Sequence, residues 1–243
     1  MDLNEQVEQW LVGMRSKMEA SPTNSETPKR PMVTLSYAQT WDGSIAIKKE
    51  GALALSSQTS KQMTHALRSW HDGILVGIGT VIADNPRLNV REWGGDDPQP
   101  IILDSHLRMP VTSRVCQDNK RKPWVLTTVN PDKDRPDCEP VIIPSDDVGR
   151  VDLKVALESI YSRGIRHLMV EGGATVISSF LKAKLADAIV LTVAPMLIGG
   201  YKAVDGLLAE DGNYLPRITS LNSYQQNDEI VIWGRLEYEE KVI

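Results

Sequence analysis

At 243 residues, with 41% apolar residues and a net charge of −5, the chain can bury one full core and offers no broad cationic field for duplex nucleic acid. Its two cysteines, Cys116 and Cys138, stand far apart and outside any C-x-x-C pair. That argues against a zinc site or a disulfide framework and for a reduced, cytoplasmic setting, with no metal expected.

Met1 to Ala20 has neither the basic start nor the continuous apolar run of a signal peptide. Leu3, Val7, Trp10, Leu11, Met14 and Met18 fall on one helical face, predicting an amphipathic helix laid on the body of the protein or on a partner subunit. No run approaches the ~20 apolar residues of a membrane span, so no membrane partner is expected. Ser21 to Pro31 reads as a linker, which divides the chain into an N-terminal helix and linker (1–30) and a main domain (31–243).

Met32 to Ala38 alternates, with Val33, Leu35 and Tyr37 on one side, and predicts a strand. Trp41-Asp42-Gly43 supplies a turn, and Ser44 to Ile47 begins a return. Ser56, Ser57 and Thr59 are candidate caps for a helix that carries Met63, Leu67 and Trp70 inward and Arg68 elsewhere on its circumference.

Gly73 to Gly79 is short, apolar and bounded by glycine, the pattern of a strand buried on both faces of a parallel sheet. Gly77-Ile78-Gly79-Thr80-Val81-Ile82 misses the third glycine of a dinucleotide fingerprint, and no clear helix begins there. No Gly-Lys dipeptide followed by Ser or Thr occurs, so a P-loop is absent. Thr80 to Arg91 crowds a hydroxyl, a carboxylate, carboxamides and two guanidinium groups into one segment after a buried strand, where sheet proteins keep ligand chemistry. Asp84-Asn85-Pro86 also suits a plain turn, and the arginines also suit solvated surface.

Further strands are predicted at Pro100 to Asp104, Trp124 to Val129 and Val141 to Ile143. A helix follows from Asp152 to Arg163-Gly164, with Leu153, Ala156, Leu157, Ile160 and Tyr161 at helical spacing. Next comes His167-Leu168-Met169-Val170-Glu171-Gly172-Gly173: an apolar run, a carboxylate and two glycines, leading into Val176, Ile177, Phe180, Leu181 and Leu185 at helical spacing. A buried strand that hands over to a helix in this way leaves the first helical amides free, and such an end attracts phosphate. Paired glycines at such a turn also serve merely to relieve crowding. Asp187 to Ala194 reads as a strand, Pro195 to Gly200 as a loop and Asp228 to Tyr238 as a terminal strand. Polar Asn222 to Asn227 would turn one strand back on the other. The alternation of strand and helix predicts an α/β protein with helices on both faces of a mostly parallel sheet and an antiparallel C-terminal edge.

Five motifs then stand in order: Thr40-Trp41-Asp42-Gly43-Ser44-Ile45-Ala46, Arg68, Val76-Gly77-Ile78-Gly79-Thr80-Val81-Ile82-Ala83-Asp84-Asn85-Pro86, Val170-Glu171-Gly172-Gly173 and Ala194-Pro195-Met196-Leu197-Ile198-Gly199-Gly200. Together they resemble the reductase family of riboflavin biosynthesis, most of all its stand-alone fungal and archaeal type, from about Met32 to the C-terminus. The resemblance implies a dihydrofolate-reductase-like fold, NADPH as cofactor, a homodimer and a small sugar-phosphate substrate. The activity implied is reduction of the ribosyl group of a diaminopyrimidinone ribosylamine 5′-phosphate. The H-x-E and P-C-x-x-C motifs of the zinc deaminase commonly fused to the bacterial relatives are absent, so this chain is expected to reduce only. Where the family has Ser-Leu-Asp-Gly, this chain has Thr40-Trp41-Asp42-Gly43, which keeps the turn and places a bulkier group beside it.

The same resemblance implies cofactor contacts at Thr80, Asp84, Ser105, Gly172, Gly173, Ala174, Thr175 and Val176, and substrate contacts at Arg68, Arg91 and Glu171. A guanidinium pair suits a ribose 5′-phosphate. Arg108, close to Ser105, is a candidate for the cofactor's 2′-phosphate. Glu171 is the candidate catalytic group, but Glu171, Asp84 and a water all remain open as proton sources. Two alternatives stand beside this reading: a reductase of the deaminated 5-amino-6-(5-phosphoribosylamino)uracil, and a nucleotide-binding sensor without turnover.

Overall fold

A computed structural model describes residues 1–20, 29–47, 55–131, 134–207 and 214–240. Helix α1 spans Leu3–Ala20, followed by strands β1 (Met32–Thr40) and β2 (Ser44–Ala46). Next come α2 (Gln58–Ser69), β3 (Gly73–Gly77), α3 (Ile78–Asp84), β4 (Gln99–Leu103), α4 (Arg114–Gln117), β5 (Trp124–Thr127) and β6 (Glu139–Ile142). The chain continues through α5 (Leu153–Ser162), β7 (His167–Glu171), α6 (Ala174–Lys182), β8 (Ala188–Ala194), β9 (Tyr201–Lys202), β10 (Tyr214–Gln226) and β11 (Glu229–Glu240). Most of the expected linker lies outside the described residues.

Among the described residues nine strands form one sheet in the order β10-β11-β8-β1-β7-β3-β4-β5-β6. From β8 to β6 every neighbour is parallel, and β11 and β10 close the other edge antiparallel. The predicted class is therefore the observed one. Side chains alternate between two cores. Leu35, Leu75, Ile101, Leu168 and Val170 meet α5 and α6 on one face. On the other face Met32, Met169 and Val190 meet α1 and α2, while Ile74, Val76 and Ile102 lie under α3 and α4. Both faces are covered, which is why the β3 sequence is apolar throughout.

Carboxylates at the amino ends of the parallel strands tie their starts together. Asp187 accepts from the Val33 amide at 2.8 Å and from both terminal nitrogens of Arg30 at 2.7 Å, and Asp72 accepts from the Arg166 and His167 amides. Helix α1 packs on the body of its own chain: Leu3, Val7, Leu11 and Met14 are buried with Met63, Leu67 and Trp233. Met18 at its far end is exposed.

Three expectations need correction. A helix, α3, does begin after Gly77; with only Ile78 and Val81 buried along its seven residues it is too short to show a period. Residues Asn222 to Gln226 are strand rather than turn, because β10 continues to Gln226 and reverses at Asn227, which takes a positive φ of 55°. Strand β2 pairs with β9 rather than folding back on β1. Thr34 and Ser36, on the polar side of β1, are buried as well, since β1 lies in the middle of a doubly covered sheet. Thr34 Oγ1 there meets His71 Nε2 at 3.0 Å.

Candidate active site

Two clefts open at the carboxyl ends of the central strands, and the turn from β7 to α6 divides them. The first, about 440 Å³, is lined from β3 and α3 by Gly77, Ile78, Gly79 and Thr80, and after β4 by Ser105, His106 and Arg108. Asp146, Arg150, Val151 and Leu153 close it beyond, and Gly173, Thr175, Val176 and Ser179 of the turn and α6 form its wall. Gly173 is the N-cap of α6 and brings no side chain to it. The first intrahelical bond runs from the Ile177 amide to Gly173 O. The preceding amides thus lack helical acceptors, and the positive end of the helix dipole is left for an anion.

Gly172 and Gly173 have φ of +86° and +83°, the left-handed region that a Cβ disfavours. A Cβ on Gly173 would sit 3.2 Å from Thr80 Oγ1, and one on Gly77 would sit 2.8 Å from Val176 Cγ2. At Gly77 and Gly173 the wall of this cleft is backbone, and a side chain there would be crowded. An elongated ligand with charged linkers fits such a surface, and the cationic side chains of Arg108 and Arg150 also line it. Arg108 Nε is held 3.4 Å from the buried Asp104 Oδ1, and Ser105 Oγ accepts from the Val151 amide at 3.2 Å.

The second cleft, about 290 Å³, is lined by Ala38 of β1, Ile45 of β2, Leu55, Ser56, the α2 residues Lys61, Thr64, His65 and Arg68, and by Arg91, Glu92 and Glu171. Ser57 caps α2 by accepting from the Ser60 amide. The buried Glu229 carboxylate from β11 accepts from the Ser57 amide at 2.6 Å, the Ser57 hydroxyl at 2.8 Å and the Ser60 hydroxyl. A negative charge at that end suits the helix dipole and anchors α2 beside the cleft.

Arg68 is buried, and its guanidinium donates from Nε to Glu171 Oε2 at 2.8 Å, from NH2 to Glu171 Oε1 at 2.6 Å and from NH1 to Asn89 O at 2.9 Å. The fork matches a carboxylate on both prongs. His65, also buried, accepts the Arg91 amide on Nδ1 at 3.4 Å. Burial and the neighbouring Arg68 and Arg91 charges push its pKa down to about 4, so its imidazole is neutral at pH 7.

Asp42 of the first motif is a structural knot. It accepts from Thr40 and Ser44 hydroxyls, from the Ile198 and Gly199 amides at 3.2 and 2.9 Å, and from Lys202 Nζ at 2.6 Å. The Lys202 ammonium and these donors hold its carboxyl well below the usual range. Gly200 fits against β2 only without a side chain, since a Cβ there would lie 2.1 Å from Ala46 O. The Asp42 turn and the Ile198 to Gly200 loop, far apart in sequence, are one unit beside the second cleft.

The structure brings Thr80, Ser105, Gly173, Thr175 and Val176 together on the first cleft and Arg68, Arg91 and Glu171 together on the second. Arg108 joins the first set. Gly172 and the buried Ala174 flank Gly173 in the turn, and Asp84 is exposed in the last turn of α3, outside the lining of either cleft. Neither acid considered as a proton source stands as a free acid in a cleft, since both Glu171 oxygens accept from Arg68. Sequence reasoning missed Lys61, Thr64 and His65. Their spacing with Arg68 along one face of α2 was the available signal, and a polar stripe on a helix ordinarily reads as the solvent side.

Residues 31–232 match the model of the RibD C-terminal domain. The 2,5-diamino-6-ribosylamino-4(3H)-pyrimidinone 5′-phosphate reductase of Debaryomyces hansenii is 39% identical over 193 residues, 70% of this chain and 77% of that protein. Its namesake from Archaeoglobus fulgidus is 35% identical over 182 residues, 70% of this chain and 83% of that protein. Among solved structures, the riboflavin biosynthesis reductase Rib7 of Saccharomyces cerevisiae superposes with a TM-score of 0.76 at 29% identity, covering 95% of this chain and 99% of that one.

Proposed function

The chain belongs to the RibD C-terminal domain family, and from that premise we propose that it reduces the ribosyl group of 2,5-diamino-6-ribosylamino-4(3H)-pyrimidinone 5′-phosphate to the ribitylamino product, with NADPH as reductant. It is an oxidoreductase of riboflavin biosynthesis, and reductases of this family work with a nicotinamide cofactor. The observation that carries the reading is the β7 to α6 turn: Glu171 lines the polar cleft and Gly173, two residues on, lines the glycine-walled one. Two ligands bound there would meet across a single turn.

The first cleft fits a dinucleotide by its bare backbone wall and the uncapped α6. We assign the diphosphate to the amides that open α6, with Thr80 and Ser105 beside it and Gly172 and Ala174 shaping the turn that presents them, while Asp84, at the end of α3, lies outside the cleft lining. Arg108 and Arg150 would hold the 2′-phosphate that distinguishes NADPH from NADH. When bound, the cofactor supplies hydride to C1 of the ring-opened imine. The protein's own part is to align the two molecules and keep bulk water from the reacting carbon. Glu171, locked by Arg68, orients the substrate rather than giving up a proton, and water protonates the imine nitrogen. A homodimer and a cytoplasmic location complete the proposal, the latter supported by the free thiols of Cys116 and Cys138.

Mixing the protein, NADPH and the diamino substrate and following the nicotinamide absorbance tests the reaction. Oxidation of NADPH with product formation is expected, with faster turnover than for the deaminated uracil. A strong preference for the uracil overturns the substrate; NADPH binding without oxidation makes the protein a sensor. Light scattering reads the dimer.

A further inference from the structure

We propose that Lys61 and His65, one turn apart on α2, form with Arg91 the subsite for the substrate's 5′-phosphate, while Arg68 serves to hold Glu171. This rests on the reading that the substrate is a ribosylaminopyrimidine phosphate.

A phosphate dianion needs positive charge that is not already spent, together with donors of fixed direction. Arg68 and Arg91 are the two guanidinium groups on the cleft, but they differ in what they have left. Arg68 gives two nitrogens to Glu171 and the third to Asn89 O. Its charge is matched by a carboxylate before any ligand arrives. Among the described residues Arg91 has only a weaker side-chain bond, from NH1 to Asn89 Oδ1 at 3.2 Å, and its side chain is exposed at the cleft wall. Among the described residues that line this cleft, the remaining cation is Lys61, also exposed. The nearby Glu92 carboxylate accepts from Gln58 Nε2 at 2.8 Å.

His65 supplies the directional donor. Because the Arg91 amide donates to Nδ1, the proton of the neutral ring sits on Nε2, the edge turned away from that amide. His65 lies four residues beyond Lys61 and three before Arg68, so all three share one face of α2. The bond to Arg91 also fixes the backbone that carries the second cation. Lysine charge, imidazole N–H and Arg91 guanidinium thus line the same cleft as the Arg68–Glu171 pair, and of these cations only Arg68 is already matched by a carboxylate among the described residues.

The test uses the full chain, with rates measured for the phosphorylated substrate and for the same riboside lacking the phosphate. Lys61→Ala should raise KM for the phosphorylated substrate about tenfold, the order of one lost charge-assisted contact, and erase most of the preference over the riboside. His65→Asn keeps an acceptor for the Arg91 amide but no donor at the Nε2 position, and should raise KM likewise. His65→Gln, whose amide reaches that position, should recover most of the loss. Calorimetry with ribose 5-phosphate gives a readout independent of turnover, and binding should weaken by a similar factor in Lys61→Ala. Wild-type protein that turns over normally while Lys61→Ala and His65→Asn keep the full phosphate preference would overturn the subsite alone. Protein that binds ribose 5-phosphate through Lys61 yet never oxidises NADPH would sink the reaction and leave the subsite standing.

Discussion

Arg68 and Glu171 stand 103 residues apart in the sequence and meet in a two-pronged ion pair, Nε to Oε2 at 2.8 Å and NH2 to Oε1 at 2.6 Å. The Arg68 side chain is 7% exposed and that of Glu171 24%. Removing one member strands the other's charge in a poorly hydrated place. Glu171→Gln should therefore destabilise the protein by about 2 to 3 kcal/mol, at or below the usual range for breaking a buried pair because Glu171 is partly wet. Arg68→Lys, which lacks the fork, should not restore a native midpoint. Urea unfolding followed by tryptophan fluorescence checks both, and an unchanged midpoint in Glu171→Gln would show that the pair is not a structural tie.

For Arg91 the expectation is different, because its guanidinium is not committed to a carboxylate. Arg91→Ala should raise the substrate KM at least about tenfold, in line with about 1.5 to 3 kcal/mol for a hydrogen bond to a charged group, and leave cofactor affinity near wild type. Steady-state kinetics in both substrates separates the two effects. Equal loss of affinity for substrate and cofactor would place Arg91 outside the assigned role.

Gly173 sits at φ +83° with Thr80 Oγ1 only 3.2 Å from where a Cβ would go. Gly173→Val meets both the left-handed strain, about 1 to 2 kcal/mol, and the crowding at Thr80. NADPH affinity should fall at least about tenfold while the fold survives, read by quenching of tryptophan fluorescence and by circular dichroism. Unimpaired NADPH binding in a folded variant would move the cofactor elsewhere.

His71 is buried between Leu67 O and Thr34 Oγ1, and burial, with the Arg15 charge, pushes its pKa down to about 3. Its neutral form is favoured on folding, so the unfolded chain takes up a proton below about pH 6.5 while the native state does not. Stability from this residue is whole above that pH and falls by up to about 1.4 kcal/mol per unit as the solution is acidified toward pH 3. His65, lowered to about 4, adds in the same direction. Urea midpoints at pH 7.5 and 5 should show the decline, and His71→Gln should flatten it. An identical slope in the variant would remove His71 as its source.

Helix α1 lies outside the residues matched to the family, yet Leu11 is 1% exposed within the core shared with α2 and β11. Leu11→Ala should cost about 2 to 4 kcal/mol of stability with little change in KM. A chain indifferent to that substitution would mean that α1 only rests on the surface.

Much of this molecule can be read from local pattern. The apolar run of β3, the Asp152 cap of α5 and the strand, glycine pair and helix around Gly173 each obey rules that act over a few residues, and each element lies near where it was expected, β3 ending at Gly77 where α3 takes over. Helix α3 escaped because two buried residues set no period. The continuation of β10 through Asn222 to Gln226 escaped because an edge strand tolerates polar side chains that also suit a turn. The α2 stripe of Lys61, Thr64, His65 and Arg68 was legible as a helical face but not as a functional one, since a polar face alone does not say whether water or a ligand will meet it.

What the sequence determined by itself is therefore the kind of protein: a doubly covered, mostly parallel sheet whose β7 to α6 turn needs glycine and leaves helical amides free. Those features follow from backbone conformation and hydrophobic spacing, which are local. Which charges remain available is a different matter, because it depends on partners a hundred residues away. Only the folded chain joins Arg68 to Glu171, ties Asp42 to the Ile198 to Gly200 loop and sets the Arg91 amide on His65. Side-chain electrostatics is decided by proximity in space, and the sheet creates that proximity by bringing the carboxyl ends of its strands to one edge.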